Sequence, residues 1–305
     1  MNRKKVFLIS FLCIVAILYT FGAVNVQFLR KTEFLFKSCQ TWFFSDTDNK
    51  ATMAVILSNI GTNFYNKNQI TRIIHQSWKY NINIPAYFLR HIPSWKKCFP
   101  DWEYKFWTDE DNRNLILKHY SWFLKKYDSF PHSIYRADCA RYFYMFHYGG
   151  IYTDLDNECL RPFEHLLVNH SFVFGDIDHV PKVTKLRNEN YVQNSFMYSK
   201  PNHPFWLELV FDIYNNNESE TPDIVTGPLV LSNMIQKYRD RYPLSHGIKI
   251  YESRYFNPIT WGDQSKNLKS CKIWNGMSEK KYFECRKNHF DMGSYIIQYH
   301  SHTWG

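Results

Sequence analysis

The chain has 305 residues, of which 45% are hydrophobic and 19% aromatic, and its formal net charge is +9. This length allows one large domain with additional segments, or two modest domains. The basic residues occur in short runs, which excludes a nucleic-acid-binding arm. A basic balance of this size suits an anionic substrate or a membrane surface.

The N-terminal segment over residues 6–24 carries no charge and, as a helix, would cover about 30 Å, the core of a bilayer. Three basic residues at positions 3–5 precede it, which favours a cytoplasmic N-terminus and a lumenal remainder. A cleaved signal peptide is the alternative. The predicted segments are a cytoplasmic tail over 1–5, a type II signal anchor over 6–24, a stem over 25–69 and a catalytic domain over 70–305.

Strand and helix patterns alternate from residue 70 onward. Such alternation predicts an α/β domain with a mostly parallel, Rossmann-like sheet and flanking helices, in which ligands bind beyond the carboxyl ends of the strands. We expect Asp109 to cap one helix and Gly149-Gly150 to end another, because glycine tolerates a positive φ. The predicted elements are strands over 70–78, 101–108, 150–156 and 171–178, and helices over 83–100, 110–120 and 133–148.

The chain contains four D-x-D triplets, so a single one carries little information. Their surroundings favour Asp154 and Asp156, which share one face of a predicted strand with Tyr152. On the preceding helix, Asp138 and Arg141 lie on a stripe that also carries apolar residues. A charged pair on a packing stripe is costly unless it is paired or binds a ligand.

These residue types suit the binding of a metal ion and a sugar nucleotide. Two close carboxylates repel each other, and a divalent cation relieves the repulsion while it neutralises a diphosphate. Oxygen ligands favour Mn²⁺ or Mg²⁺ over zinc. Tyr152 can lie against a base or ribose, and Asp138 and Arg141 can hold sugar hydroxyls. An ordinary helix ion pair beside a solvated acidic loop is the alternative.

Two cysteines, Cys271 and Cys285, bracket a segment rich in turn-forming and polar residues. In a lumenal domain they would form a disulfide, and free thiols are the alternative.

The motifs "IIHQSWK", "WTDED", "RADCARYFYMFHYGGIYTDLDNECLRPFEHLL", "NSFMYSKPNHPFW" and "TGPLVLS" occur in this order over about residues 70–240. They resemble the DxD-containing glycosyltransferases that include the fungal mannosyl-inositol-phosphorylceramide synthases and the yeast initiating α-1,6-mannosyltransferase. More distantly, the chain is similar to the clostridial glucosylating toxins and the α-1,4-galactosyltransferases. The resemblance implies a GT-A fold and a retaining transfer from a nucleotide sugar.

The resemblance also implies roles for particular residues. The closing "YHSHTWG" is similar to a family segment in which a histidine ligates the metal and a tryptophan approaches the diphosphate. The implied contacts are His75 and Trp78 with the nucleotide, Asp138 and Arg141 with the donor sugar, Tyr152 and Asp154 near ribose and metal, Asp156 and His300 (or His302 instead) with the metal, and Trp304 with the diphosphate.

Asn194 falls where relatives place a residue beneath the anomeric carbon. An amide is a poor nucleophile but can offer an oxygen dipole to a developing positive charge. We therefore expect a front-face mechanism in which Asn194 stabilises that charge. A carboxylate nucleophile, Asp176 or Asp178, is the rival, and Asn194 could instead only tie down a loop.

The likeness favours a Golgi or ER mannosyltransferase that uses GDP-mannose. The expected partners are the nucleotide sugar, a lipid headgroup of the inositol-phosphorylceramide type or a glycan, the membrane and a regulatory subunit, but no nucleic acid. Three alternatives stay open: a UDP-galactose or UDP-N-acetylglucosamine transferase acting on a glycan, an inactive lectin-like partner subunit, and a metal-dependent hydrolase. An inactive subunit would be expected to lack some of the charged residues named above, and all are present.

Overall fold

The computed structural model describes residues 70–177, 191–215, 221–243, 247–259 and 278–300. All described residues belong to one compact unit. The predicted tail, anchor and stem, together with Asp178, His302 and Trp304, lie outside these residues. Within the described ranges, no helix has the length and apolar character needed to cross a membrane.

Six strands form the central sheet: β1 (Ile73–Ser77), β2 (Glu103–Trp107), β3 (Gly150–Thr153), β5 (Phe172–Asp176), β6 (Val192–Ser199) and β7 (Ile248–Tyr251). Their order across the sheet is β2-β1-β3-β6-β5-β7. Only β6 runs against its neighbours, since it is antiparallel to both β3 and β5. The predicted α/β class with a mostly parallel sheet is therefore confirmed. A separate antiparallel pair consists of β4 (Asn157–Cys159) and β8 (Ile296–Gln298).

The helices surround this sheet. One face of the sheet packs against the helices over Ser133–His147, Pro204–Asn215 and Pro228–Arg241. The other face buries Ile74, Ile151 and Phe196 against Trp95 and Phe256. The described helices are α1 (Ala86–Leu89), α2 (Ile92–Cys98), α3 (Asp109–His119), α4 (Ser121–Ser129), α5 (Ser133–His147), α6 (Pro204–Asn215), α7 (Pro222–Val225), α8 (Pro228–Arg241), α9 (Ser253–Phe256) and α10 (Glu279–Asp291), with a 3-10 turn over Glu164–Leu166.

Two helix boundaries differ from the sequence prediction. The single helix expected over 83–100 is two helices, because Pro93 lies in the first turn of α2, where its missing N–H is not needed. The prediction that Asp109 caps the next helix is wrong by one residue. Thr108 is the N-cap, and its side chain and that of Asp111 each accept the other residue's backbone N–H.

Gly149 and Gly150 connect α5 directly to β3. Their φ angles are 65° and 92°, in the left-handed region that favours glycine. A Cβ at Gly149 would lie 2.8 Å from the carbonyl oxygen of Ser199, and one at Gly150 would lie 2.4 Å from that of Ile73. The helix therefore ends at the glycine pair, as predicted, and the backbone there lies directly against the end of β6 and the start of β1.

A disulfide between Cys98 and Cys159 joins the end of α2 to β4. No local pattern in the sequence predicts this pairing, since the two cysteines are 61 residues apart. Cys139 is a buried free thiol. Cys285 is also disulfide-bonded, but Cys271 lies outside the described residues, so their pairing stays a prediction.

Replacing both Cys98 and Cys159 by alanine should lower the free energy of unfolding. For a loop with a sequence separation of 61, the chain-entropy model gives about 4 kcal/mol. Urea unfolding of the variant and the wild type would measure the difference. Non-reducing peptide mapping should recover the Cys98–Cys159 cross-link, and finding both thiols free in folded protein would contradict the pairing.

Candidate active site

A cavity of about 400 Å³ opens where β1 and β3 end and β6 begins. This volume lies within the usual range for small-molecule sites. It forms at the predicted edge of the sheet because the carboxyl ends of the parallel strands meet there. Among the predicted site residues, the cavity is lined by Trp78, Asp138, Arg141, Tyr152, Asp154, Asp156, Asn194 and His300.

The guanidinium group of Arg141 lies at the centre of the polar contacts. It is 3.2 Å from Asp138 Oδ1 and 3.3 Å from Asp154 Oδ1. It donates to the carbonyl oxygen of Asn194 at 3.0 Å, and it lies 4.6 Å from the ring centroid of Tyr152. Its Nε is buried and makes no hydrogen bond with the described residues. Arg141 therefore joins α5, the end of β3 and β6 around the cavity.

Asp138 is buried beside this arginine and accepts hydrogen bonds from two further elements. Asn194 Nδ2 donates to Oδ1 at 2.9 Å, and Thr226 Oγ1 donates to Oδ2 at 3.3 Å. Burial raises the pKa of Asp138 to about 7, against the opposing effect of Arg141. The predicted charged pair on the helix stripe is thus paired, and it also faces the cavity.

The second carboxylate contact of Arg141 belongs to the D-x-D segment. Tyr152 Oη donates to Asp154 Oδ1 at 2.7 Å, and the Asp154 side chain is 29% exposed. Burial raises the pKa of Asp154 to about 6; Arg141 opposes this shift, and the neighbouring Asp156 adds to it. The two carboxylates are therefore close enough to repel each other, as the D-x-D motif predicts.

The donor set fits a hard divalent cation. Asp154 and Asp156 supply carboxylate oxygens that face the same cavity, and a cation would relieve their repulsion. In residues 70–177 and the four later described ranges, no group of three His, Cys, Asp or Glu side chains is arranged to hold a metal ion. A cation bound there would therefore take further ligands from the substrate or water.

The strand β8 brings the last described residues to this segment. The backbone N–H of Tyr299 donates to the carbonyl oxygen of Asp156 at 3.0 Å. Tyr299 Oη donates to Glu158 Oε2 at 2.6 Å, and Arg286 Nε donates to Oε1 of the same buried carboxylate at 2.7 Å. This anchor places His300 in the cavity wall, where the resemblance implies a metal ligand.

The ring of His300 has a defined orientation. Its Nε2 lies 2.6 Å from the carbonyl oxygen of Ile259, so in the neutral ring Nε2 carries the hydrogen and Nδ1 the lone pair. A backbone carbonyl that fixes the tautomer in this way is common behind metal-binding histidines. His302 and Trp304 lie outside the described residues, so their implied contacts stay predictions.

Asn194 lies in the cavity wall beside Asp138. Its Nδ2 donates to Asp138 and, at 3.2 Å, to the hydroxyl of Tyr142. With the nitrogen held by two acceptors, the amide oxygen is the polar atom of this side chain that remains to accept a hydrogen bond. Asp176, the described rival nucleophile, does not line the cavity.

Trp78 lines the cavity as expected, whereas His75 lies behind it. Trp107 Nε1 donates to His75 Nδ1 at 3.1 Å, so Nε2 carries the hydrogen and donates to the carbonyl oxygen of Gly149 at 2.8 Å. Both ring nitrogens are therefore used within the protein. These bonds tie β1 to β2 and to the residue that follows α5, and the nucleotide contact implied for His75 stays a prediction.

Several polar residues that line the cavity were missed at the level of sequence. Asp223 accepts a hydrogen bond from Tyr191, and the Ser195 hydroxyl lies within hydrogen-bond distance of the amide oxygens of Gln193 and Gln298, to one of which it donates. No spacing pattern connects these positions along the chain, and Asp223 lies just before the quoted "TGPLVLS" motif. The other polar residues of the wall outside the prediction are Ser77, Lys79, Asp109 and Ser133.

The burial of His75 should make folding sensitive to acid. Burial, together with the charge of Lys105 and against the bond to Gly149, lowers the pKa of His75 to about 3. In the unfolded chain His75 binds a proton below about pH 6.5 that the folded chain does not bind until about pH 3. The stabilisation is present above pH 6.5 and is lost as the pH falls through this window, by up to about 1.4 kcal/mol per pH unit.

The variant His75→Gln should unfold with a weaker dependence on pH between 4 and 6.5 than the wild type. It should also lose about 1–3 kcal/mol at pH 7, because a buried hydrogen-bond partner is left unsatisfied. Urea unfolding at several pH values would measure both effects. The exposed His132, replaced by Gln, is the matched control. An unchanged pH dependence in His75→Gln would show that this ring is not the sensor.

Comparisons with known proteins find similar sequences among the glycosyltransferases. Residues 85–173 match the family described as "Glycosyltransferase sugar-binding region containing DXD motif". The chain is 35% identical over 179 residues to inositol phosphoceramide mannosyltransferase 2 of Schizosaccharomyces pombe, a match that covers 57% of this chain and 48% of that protein. It is 32% identical over 241 residues to mannosyl phosphorylinositol ceramide synthase SUR1 of Saccharomyces cerevisiae, covering 75% of this chain and 59% of that protein.

The matches confirm the resemblance: the chain is related to the DXD-containing glycosyltransferases. It spans about half the length of the curated relatives it matches. Among solved structures, it overlaps with the PaToxG glycosyltransferase at a TM-score of 0.41 and 13% identity, covering 64% of this chain and 78% of that one.

Proposed function

We propose that this chain is a metal-dependent, retaining glycosyltransferase of GT-A fold that transfers mannose from GDP-mannose to an inositol-phosphorylceramide-like lipid headgroup. The observation that carries the proposal is the buried Arg141, which holds Asp138, Asp154 and Asn194 around one cavity beside the D-x-D carboxylates. Mannose and the lipid acceptor come from the names of the two relatives reported above, both of which name mannosylation of inositol phosphoceramide.

Different residues of the cavity would bind different parts of the nucleotide-sugar donor. Trp78 stacks on the base, Tyr152 lies near the ribose, and Asp138 and Arg141 bind sugar hydroxyls. Asp154 and Asp156 would hold Mn²⁺ or Mg²⁺, which when bound neutralises charge on the departing diphosphate. His300 lines the same wall and would become a ligand once the bound ion draws its ring closer to the two carboxylates. Since Arg141 is already fixed by three partners, it is preorganised and does not reorient when the sugar binds.

The position of Asn194 supports a front-face reaction. Its amide nitrogen is tied to Asp138 and Tyr142, so its oxygen dipole faces the sugar and can stabilise positive charge at the anomeric carbon. A double displacement would need a carboxylate beneath the sugar. Of the two rival nucleophiles, Asp176 lies outside the cavity wall and Asp178 outside the described residues. The wall carboxylates Asp138 and Asp154 are ion-paired with Arg141, which makes them poor nucleophiles and supports the front-face route.

A lipid acceptor fits an enzyme held at a membrane, and the signal anchor proposed for residues 6–24 would keep the catalytic domain on the lumenal side of the Golgi or ER. We also propose that the chain binds a regulatory subunit. A UDP-galactose or UDP-N-acetylglucosamine transferase acting on a glycan is the second candidate, because Trp78 would stack on either base.

A donor screen tests the proposal. The full chain, purified in detergent, would be given GDP-mannose, UDP-galactose and UDP-N-acetylglucosamine, with and without a chelator, and release of the nucleoside diphosphate measured. We expect chelator-sensitive turnover of GDP-mannose. Preferential turnover of a UDP-sugar would support the second candidate, and binding of no nucleotide sugar would contradict glycosyl transfer altogether.

The variant Asp156→Asn should lose at least about 100-fold in turnover, since a bound metal contributes several kcal/mol of charge stabilisation. Circular dichroism should show the same fold. Asp128→Asn, which removes an exposed carboxylate paired with Arg113 far from the D-x-D segment in sequence, is the control. Near-normal, chelator-sensitive turnover of Asp156→Asn would remove this residue from the metal site.

The variant Asn194→Ala should lower turnover about 10–1000-fold, the range for losing one preorganised dipole. The affinity for the nucleotide sugar should change little, because the diphosphate and base contacts are kept. Rates with saturating donor and equilibrium donor binding would separate the two effects. Mass-spectrometric trapping of a glycosyl adduct on Asp176 or Asp178 would overturn the front-face mechanism.

A further inference from the structure

The cavity has a second acidic position, away from the D-x-D segment. Asp223 of α7 lines the wall together with Tyr191, and neither has a part in the proposed donor contacts. Tyr191 Oη donates to Asp223 Oδ1 at 2.9 Å, and the backbone N–H of Leu229 also bonds to this carboxylate. Two donors on different elements therefore hold the carboxylate in one orientation.

The sheet order places this carboxylate at the end of the cavity opposite Trp78. Trp78 follows β1, Asp154 follows β3, and Tyr191 directly precedes β6, whose neighbour on the far side is β5. Adjacent strands are about 4.8 Å apart. The Tyr191 carbonyl accepts the N–H of Ile177, which follows β5, so Tyr191 lies on the side of the cavity away from β1.

The helix α7 that carries Asp223 is also hydrogen-bonded, through the residue that follows it, to the residues proposed to bind the sugar. Thr226, three residues after Asp223, donates its hydroxyl to Asp138 Oδ2 at 3.3 Å. Its carbonyl oxygen accepts the hydroxyl of Tyr142 at 2.8 Å, and that hydroxyl in turn accepts from Asn194. Asp223 therefore belongs to an element that contacts the residues proposed to bind the sugar.

The surroundings of Asp223 select the kind of group it can bind. Pro222, Pro228 and Ile177 line the same part of the wall and are largely apolar. Burial raises the pKa of Asp223, against the bonds from Tyr191 and Leu229. A carboxylate in this setting accepts hydrogen bonds from hydroxyl groups and repels phosphate. With a nucleotide at Trp78 and a sugar at Asp138, this end is left for a hydroxyl-rich, locally uncharged part of a second substrate.

We propose that Asp223, oriented by Tyr191 and the N–H of Leu229, binds a hydroxyl group on the polyol ring of the acceptor and so forms the acceptor subsite. This inference rests on the proposed glycosyl transfer and adds to it the chemical class that the acceptor presents, a sugar-like or inositol-like ring. The acceptor's phosphate would then lie away from Asp223.

A purely structural role makes a different prediction. Leu229 lies in the first turn of α8, so Asp223 could serve only as a cap for that helix. The variant Asp223→Asn keeps an oxygen for the Leu229 N–H and removes the negative charge. It therefore separates the cap from the acceptor contact, whereas Asp223→Ala removes both.

The test uses the full chain in mixed micelles with GDP-mannose as donor and inositol phosphoceramide as acceptor. We expect Asp223→Asn to raise the KM for the acceptor about tenfold, as for a lost hydrogen bond to a charged group. Tyr191→Phe should raise it by a smaller factor. Equilibrium binding of GDP-mannose should change less than about twofold in both variants, and Asp128→Asn should change neither quantity.

The outcomes are distinguishable. An unchanged acceptor KM in Asp223→Asn, with active wild type, overturns the acceptor subsite and leaves the proposed transfer standing. A loss of GDP-mannose affinity with an unchanged acceptor KM would instead make Asp223 a donor contact and overturn the inference. A wild type that binds no nucleotide sugar would contradict the proposed function, and this inference with it.

Discussion

A buried arginine charge must be surrounded by groups that compensate it, and this constraint organises the site. Taking a guanidinium group out of water costs several kcal/mol unless anions and carbonyl oxygens replace the water. Arg141 obtains them from Asp138 on its own helix, Asp154 after β3 and the Asn194 carbonyl of β6. The Asn194 carbonyl lies 53 residues along the chain from Arg141, so satisfying one charge joins the local helix–strand segment to a distant strand and fixes the geometry of the cavity.

The local part of this arrangement follows from sequence periodicity. The helical spacing of Asp138 and Arg141 places both on one stripe, and the structure buries that stripe beside the cavity. Glycine at position 149 predicts the abrupt end of the helix, and its φ of 65° agrees. The position of Asp154 and Asp156 at the cavity is also predictable, because they come directly after the strand that begins at Gly150. Each of these inferences uses residues within about two turns of helix of one another.

The remaining features depend on contacts that no short pattern encodes. The pairing of Cys98 with Cys159, the anchoring of Tyr299 on Asp156 and the bond from Tyr191 to Asp223 all join distant segments. For His75, a sequence motif did imply a role, as a ligand contact. The structure shows that its two ring nitrogens are hydrogen-bonded to Trp107 and Gly149. A residue next to a site can be retained because it holds the wall in place, and sequence alone does not separate that role from binding.

The Cys98–Cys159 disulfide ends three residues beyond Asp156, on the strand that pairs with β8 and its His300 neighbour. The redox state of the compartment in which the chain folds is thereby connected to the geometry of the carboxylates. Protein made in a reducing cytosol would lack this covalent link between α2 and β4 and would present a looser D-x-D segment. Lack of activity in protein from such a host would reflect the missing disulfide and not the absence of catalytic residues. Protein for any assay is therefore best produced in an oxidising secretory system.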